Sequence, residues 1–223
     1  MWRGRRLREL EGAIYNEGER LIPGVTHDRA ELVRHRSSYF FWKNIIEADG
    51  ARGVSILDLG CGVGHGCVTL AKLRGSRVVG VDSSAESLAY AGANYSRRNV
   101  NYVQADMGDF IASMPDFDYV VSRGAIEHVP DGLALLRRAR WRRRLLFDVP
   151  YDEPAGNNPH HVLHGLREDA FAGWDEAELF FQDLAGVIYD ERPERANMIM
   201  CVASGDGLRC VANLCRFPVT AWS

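Results

Sequence analysis

From Val54 onward the apolar residues fall in short runs, each closed by turn residues and followed by a stretch of helical spacing. Val54-Ser55-Ile56-Leu57-Asp58-Leu59 is the first run, ending in a glycine cluster, and Val63 to Leu73 then repeats apolar positions three and four apart. Arg77-Val78-Val79-Gly80-Val81 reads as a second strand, with a helix through Ala85 to Tyr95. Val100 to Gln104 is a third strand and Phe117 to Ser122 a fourth; a helix over Gly132 to Ala139 and a fifth strand, Leu145 to Val149, follow. Apolar runs of this length between helices mark strands buried on both faces, as in a parallel sheet with crossover helices. The pattern therefore predicts a doubly wound α/β fold. In the tail, Leu179 to Phe181, Met198 to Val202 and Leu208 to Leu214 are expected as antiparallel edge strands closing the sheet; the expected fold class is a seven-stranded, mostly parallel sheet, one strand fewer than these runs add up to.

Two regions break the rhythm. Residues 1–50 read as a helical lid or extension, with Asp28 as N-cap of a segment through Glu47 that carries Leu32, Tyr39, Phe40, Trp42, Ile45 and Ile46. Tyr39, Phe40, Phe41 and Trp42 cannot all face one side of a helix, so core packing and pocket lining are both open to them. Residues 51–223 form the expected main domain. Its segment 150–165 holds three prolines and two glycines just after the fifth strand. A polar loop of that length at the carboxyl end of a sheet is a candidate acceptor site.

Composition narrows the class without naming the chemistry. The 223 residues are 46% hydrophobic and 26% charged, which fits a globular domain and excludes collagen-like and disordered chains. A net charge of −3 gives no field to collect nucleic acid or an anionic membrane. The cluster Arg137, Arg138, Arg140, Arg142, Arg143 and Arg144 reads as a solvated helix face and its following turn. Five cysteines without a C-x-x-C pair argue for reduced, packed thiols. No apolar run reaches membrane-spanning length and the start lacks a signal-peptide core, so the expectation is a cytoplasmic protein without a membrane span.

Asp58-Leu59-Gly60-Cys61-Gly62-Val63-Gly64-His65-Gly66 lies between the first strand and the first helix of the main domain. Glycines there let a ligand approach backbone N–H groups near a helix N-terminus. The spacing fails the dinucleotide pattern G-x-G-x-x-G, since His65 stands three residues after Gly62 and Cys67 three after Gly64. It resembles instead the D-x-G-x-G-x-G loop of class I S-adenosylmethionine-dependent methyltransferases, whose fold is Rossmann-like. Asp82 ends the second strand, where a carboxylate accepts ribose hydroxyls, although a nicotinamide site would place an acid there too. Asp106 follows the third strand, where the family's acid meets the adenine amino group. Each acid could otherwise cap the helix after it. The resemblance covers residues 54–150 and implies S-adenosylmethionine as cofactor, held by Asp58, Gly60, Cys61, Gly62, Gly64, Asp82, Ser83, Asp106, Met107 and Ser122.

After the fourth strand, Glu127-His128-Val129-Pro130-Asp131 is similar to a run in small-molecule O-methyltransferases, including those of quinone biosynthesis. A methyl sulfonium is already electrophilic, so such an enzyme must align the acceptor and remove its proton. His128, His160 and His161 with Glu127 are the candidate catalytic groups. The same four are candidate metal ligands, because plant small-RNA 2′-O-methyltransferases use a Glu-x-x-Glu-His element and two later histidines to hold a divalent ion. Here Gly124 replaces the first Glu and His160 and His161 are adjacent, so Mg²⁺, a metal-free histidine base and plain substrate contact all stay open. Asn16 to Gly24 and the 149–165 segment are similar to small bacterial methyltransferases of glycan assembly, which implies a sugar hydroxyl as acceptor. A metabolite amine, an RNA 2′-hydroxyl and a catalytically silent cofactor-binding subunit are the other readings. A small-molecule or glycan acceptor and a homodimer are the expected partners.

Overall fold

The computed structural model describes residues 9, 12, 14, 21–23, 29–50, 52–174 and 177–220. The expected N-cap Asp28 lies outside them, but the helix it would start is present as α1, Arg29–Ala48. β1 (Ser55–Leu59), α2 (His65–Leu70), β2 (Arg77–Asp82), α3 (Ala85–Asn94), β3 (Val100–Gln104), α4 (Met107–Ser113), β4 (Phe117–Arg123), α5 (Gly132–Leu136) and β5 (Trp141–Pro150) follow in alternation. β6 (Glu178–Asp183), β7 (Ile188–Tyr189) and β8 (Ala196–Ser204) close the chain. All belong to one sheet of order β3-β2-β1-β4-β5-β8-β6-β7. β1 to β5 pair in parallel, and β8 runs antiparallel to both β5 and β6.

Strand alternation sends neighbouring residues to opposite faces and builds two cores. On one face Ile56, Tyr119, Val121 and Leu146 pack with Tyr39, Phe41 and Trp42 of α1. On the other, Leu57, Val120, Leu145 and Phe147 pack with Ile111 and Leu136. Among the described residues no helix is long and apolar enough to cross a membrane.

Three expectations need correction. The sheet has eight strands, because Ile188–Tyr189 adds a short edge that two residues of pattern could not announce. Leu208 to Leu214 is no strand: it holds a single 3-10 turn at Val211–Asn213, whose Val211 is fully buried. The arginine run is not a solvated helix face, since Arg142, Arg143 and Arg144 lie within β5. Arg144 is fully buried and forms a two-point pair with Asp49, Nη2 to Oδ1 at 2.8 Å and Nε to Oδ2 at 2.9 Å.

Candidate active site

β1 delivers the chain to the carboxyl edge of the sheet, where Gly60, Gly62 and Gly64 all adopt positive φ. At Gly60 a Cβ would collide with that of Ala125, and at Gly64 with the Tyr102 ring. At Gly62 it would meet no protein atom within 4 Å, because that position faces open space. The Gly62 N–H donates to Asp82 Oδ2 at 2.8 Å and the Ser84 N–H to Asp82 Oδ1 at 2.9 Å, so the acid at the end of β2 fixes both the loop and its own turn. Asp106 caps α4, its Oδ1 accepting from the N–H groups of Gly108 and Asp109 at 2.8 and 3.1 Å.

A cavity of about 410 Å³ opens over this loop, and it is lined by seven of the ten residues named from the sequence as cofactor contacts: Gly60, Cys61, Gly62, Asp82, Ser83, Asp106 and Met107. Asp58, Gly64 and Ser122 do not line it. Asp58 is buried beneath the loop and accepts from the Tyr39 hydroxyl and the Cys67 thiol, each at 3.1 Å; burial pushes its carboxyl up to about 7. Ser122 is equally buried and donates to the Leu59 carbonyl at 2.9 Å. Gly64 supplies the left-handed turn into α2.

A second cavity, of about 500 Å³, lies where α1 faces the loop after β5. Glu31, Arg34, Glu127, Tyr151, Glu153, Asn157 and His161 contribute to a lining that is polar on most sides. Four residues, His35, Arg123, Gly124 and His128, line both cavities and form the seam between them. Arg123 is anchored there by Asp148, Nε to Oδ2 at 3.2 Å, and Asp148 also accepts from the Ser38 hydroxyl at 2.8 Å and the Gly124 N–H at 3.0 Å. Burial, the nearby Arg123 and Arg34 cations and His65 keep the His35 imidazole well below its usual range.

Glu127, His128 and His161 each offer one ligand atom such that the three atoms lie within 4.8 Å of one another. His128 Nδ1 bonds the His160 carbonyl at 3.0 Å, which turns Nε2 away from that contact. His161 Nδ1 bonds Glu153, and the Asn158 amide lies 3.2 Å from its Nε2, a contact that an ion at that nitrogen would displace. Carbonyl and carboxylate partners of this sort orient metal-binding imidazoles. His160, the fourth candidate ligand, is not among those three and lines the first cavity. Two imidazoles and one carboxylate suit Mn²⁺, Fe²⁺ or Zn²⁺; Mg²⁺, which prefers oxygen ligands, is the poorer match.

The sequence pattern did not single out His35, Arg123 or His65 as site residues, yet all three line the first cavity, as does Tyr39, for which pocket lining had stayed open beside core packing. Their signals were slight: Glu31 and His35 one helical turn apart, and Arg123 at the end of β4.

Residues 56–143 match the family model described as a methyltransferase domain. The chain is 28% identical over 170 residues to the ubiquinone biosynthesis O-methyltransferase of Xanthomonas campestris pv. campestris, covering 66% of this chain and 71% of that protein. It is 33% identical over 112 residues to the protein of the same name from Rhodopseudomonas palustris, covering 49% and 44%. Among solved structures, the magnesium protoporphyrin IX methyltransferase of Synechocystis PCC 6803 superposes with a TM-score of 0.58 at 20% identity, over 88% of this chain and 90% of that one. A TehB-like S-adenosylmethionine-dependent methyltransferase from Corynebacterium glutamicum gives 0.54 at 23% identity, over 91% and 96%. These two share the fold.

Proposed function

We propose that this chain, a class I S-adenosylmethionine-dependent methyltransferase, methylates a hydroxyl group of a small polyhydroxylated acceptor such as a sugar. The observation that carries the reading is the polar second cavity, joined to the cofactor cavity through His35, Arg123, Gly124 and His128. Glu31, Tyr151, Glu153 and Asn157 set polar atoms into that lining and suit an acceptor with several hydroxyls, whereas a lipid tail would meet a polar wall. The name of the curated relatives supports transfer to oxygen; the sugar rests on the cavity and on the glycan-assembly resemblance of the 149–165 segment.

In this reading the acceptor oxygen attacks the methyl carbon in line with the S–C bond. The sulfur keeps the bonding pair and leaves as the thioether of S-adenosylhomocysteine. The acceptor proton passes to an imidazole at the seam, with His128 as the base. In place of that role, Glu127, His128 and His161 would hold a divalent transition ion, which when bound would acidify a hydroxyl beside it; His128 Nε2 cannot be ligand and base at once. Glu153 and the His160 carbonyl set the two imidazoles for either role.

The test is transfer of label from methyl-labelled S-adenosylmethionine to panels of methyl glycosides, catechols and amines. Label on a glycoside oxygen is expected. His128→Ala and His161→Ala should lower turnover by about 10²-fold or more with S-adenosylhomocysteine affinity little changed. Inhibition by EDTA, with Mn²⁺ restoring more activity than Mg²⁺, is the outcome of the metal role, and chelator-insensitive activity that of the histidine base. Transfer to amines alone, unaffected by either substitution or by EDTA, would discard the reading.

A further inference from the structure

With the cofactor in the first cavity and the acceptor in the second, the attacking oxygen meets the methyl carbon at the seam. Of the four residues that line both cavities, His35, Arg123, Gly124 and His128, only Arg123 carries a charge at every working pH. Its side chain is 5% exposed. Nη1 donates to Asp148 Oδ1 at 3.3 Å and lies 3.8 Å from the Met198 sulfur. Nε stands 3.2 Å from Asp148 Oδ2 but out of line for a hydrogen bond, and Nη2 has no partner among the described residues. A guanidinium presents five N–H groups in a fixed plane, so most of the donating capacity of this one is unspent where the two cavities meet.

A buried ion pair returns in attraction about what it costs in lost hydration, so stability alone does not account for placing one at this junction. Asp148 also shares its carboxylate with the Ser38 hydroxyl and the Gly124 N–H, and the arginine's field reaches past it. On the far side of the seam, burial first, then Arg123, His65 and Arg34, hold the His35 imidazole well below its usual range. The carboxylates Glu31, Glu127, Asp152 and Glu153 line the second cavity and Asp82 and Asp106 the first, and none of the six lines both. A fixed positive charge thus stands where an acceptor hydroxyl turns negative.

We propose that Arg123 is a catalytic residue whose Nη2 donates to the acceptor oxygen and stabilises the charge that gathers there in the transition state. This rests on the proposed transfer to a hydroxyl and adds to it the group that meets the nucleophile. The acceptor O–H gives its proton to His128, or to water where an ion occupies His128. The oxygen forms the bond to the methyl carbon, and the sulfur takes the pair of the broken S–C bond. The guanidinium keeps its protons throughout. A neutral amine instead turns positive as it attacks, and a cation beside it would hinder the transfer. Arg123 thereby selects oxygen over nitrogen.

The first test needs no turnover. 4-Nitrocatechol colours as its hydroxyl ionises, so in EDTA with S-adenosylhomocysteine its absorbance gives the pH at which the bound hydroxyl loses its proton. That pH should lie about one unit or more below the solution value in wild type and return to it in Arg123→Gln. The second test is label transfer to methyl glycosides. Arg123→Gln should lower kcat by about 10²-fold or more, with KM for the glycoside changed far less and S-adenosylhomocysteine affinity within about twofold of wild type. In Arg123→Ala, added ethylguanidinium, seated against Asp148, should restore part of the lost kcat while leaving wild type unaffected. An unshifted ionisation, an undiminished kcat, or a loss of S-adenosylhomocysteine affinity as large as the loss of rate would each overturn the proposal. Where wild type does not take up 4-nitrocatechol, the kinetic and rescue measurements decide. Wild type that neither binds 4-nitrocatechol nor labels a glycoside would instead overturn the hydroxyl reading. Thermal melts identify a misfolded variant; if Gln and Ala both fail to fold, Arg123→Lys replaces them. Its single head group cannot serve Asp148 and the acceptor together, so it must still lose kcat while keeping S-adenosylhomocysteine.

Discussion

At the residue scale, single side chains each hold a piece of the cofactor cavity and a piece of the protein at once. Asp82 faces that cavity and also accepts from the Gly62 and Ser84 N–H groups, so its carboxylate orders the loop before any cofactor arrives. Asp82→Ala is therefore expected to weaken S-adenosylhomocysteine by about 1.5–3 kcal/mol, the scale of lost charge-assisted hydrogen bonds. Gly62 has φ +52 and open space where a Cβ would go. Gly62→Val should weaken the same ligand at least as much, by straining the loop and filling that space. Titration calorimetry on both variants checks this, and affinities within twofold of wild type would remove the ligand from this loop. The two acids and the glycine spacing were legible in the sequence because they are local: a strand end, a turn and a helix start fix them within a few residues. The split between His160 and His161 was not. Adjacent residues in an irregular loop point where the turn sends them, and here the His160 carbonyl, not its ring, meets His128.

Elements carry the next level of information, and burial explains which of them the pattern announced. β1, β2 and β4 are largely buried, so their apolar runs are nearly continuous; with the half-exposed edge strand β3, whose bounds Val100 and Gln104 match, their expected bounds lie within a residue of the observed ones. β5 begins four residues earlier than its apolar run because Trp141 to Arg144 form strand while carrying charge. Asp116 and Asp118 face Arg142 at the surface, and Asp49 takes Arg144 in the interior. A charge run thus concealed a strand whose partners come from distant parts of the chain. The seam had the same cause: His35 arrives from α1 and Arg123 from β4, and no local spacing links them. Arg144 and Asp49 tie the end of α1 to the middle of the sheet, with the Tyr119 hydroxyl also donating to Asp49 at 3.1 Å. Removing one member leaves a buried charge without its counterion. Arg144→Ala should cost about 3–5 kcal/mol in chemical denaturation, while the double change Asp49→Asn with Arg144→Met should cost clearly less. Equal losses in the two would mean the arginine acts through packing alone.

For the molecule as a whole, the pH dependence of folding reflects groups buried under the cofactor cavity as well as surface charge. Asp58 sits fully buried with its carboxyl raised to about 7, against an ordinary value of 3.8. In the unfolded chain it loses its proton near pH 4, whereas the folded protein holds that proton until about pH 7, so between these values the folded state binds more protons. Stability from this group is therefore complete below about pH 4 and falls as pH rises toward 7. His65 works in the opposite direction: depressed to about 4, it stays neutral while the unfolded histidine protonates, so its contribution falls as pH drops from 6.5 toward 4. The two overlap, and a wild-type profile alone would not separate them. Asp58→Asn does so, because an amide cannot ionise but can still accept from Tyr39 or Cys67. At about 1.4 kcal/mol per pH unit of unequal protonation, the variant free of cofactor should gain about 2–3 kcal/mol on wild type between pH 5 and pH 8, whatever its stability at either pH alone. Urea denaturation of both proteins at the two pH values measures that difference. A constant gap would mean that Asp58 ionises in the folded protein as freely as in the unfolded chain, and that the carboxylate beneath the glycine loop carries its charge throughout the working range of the enzyme.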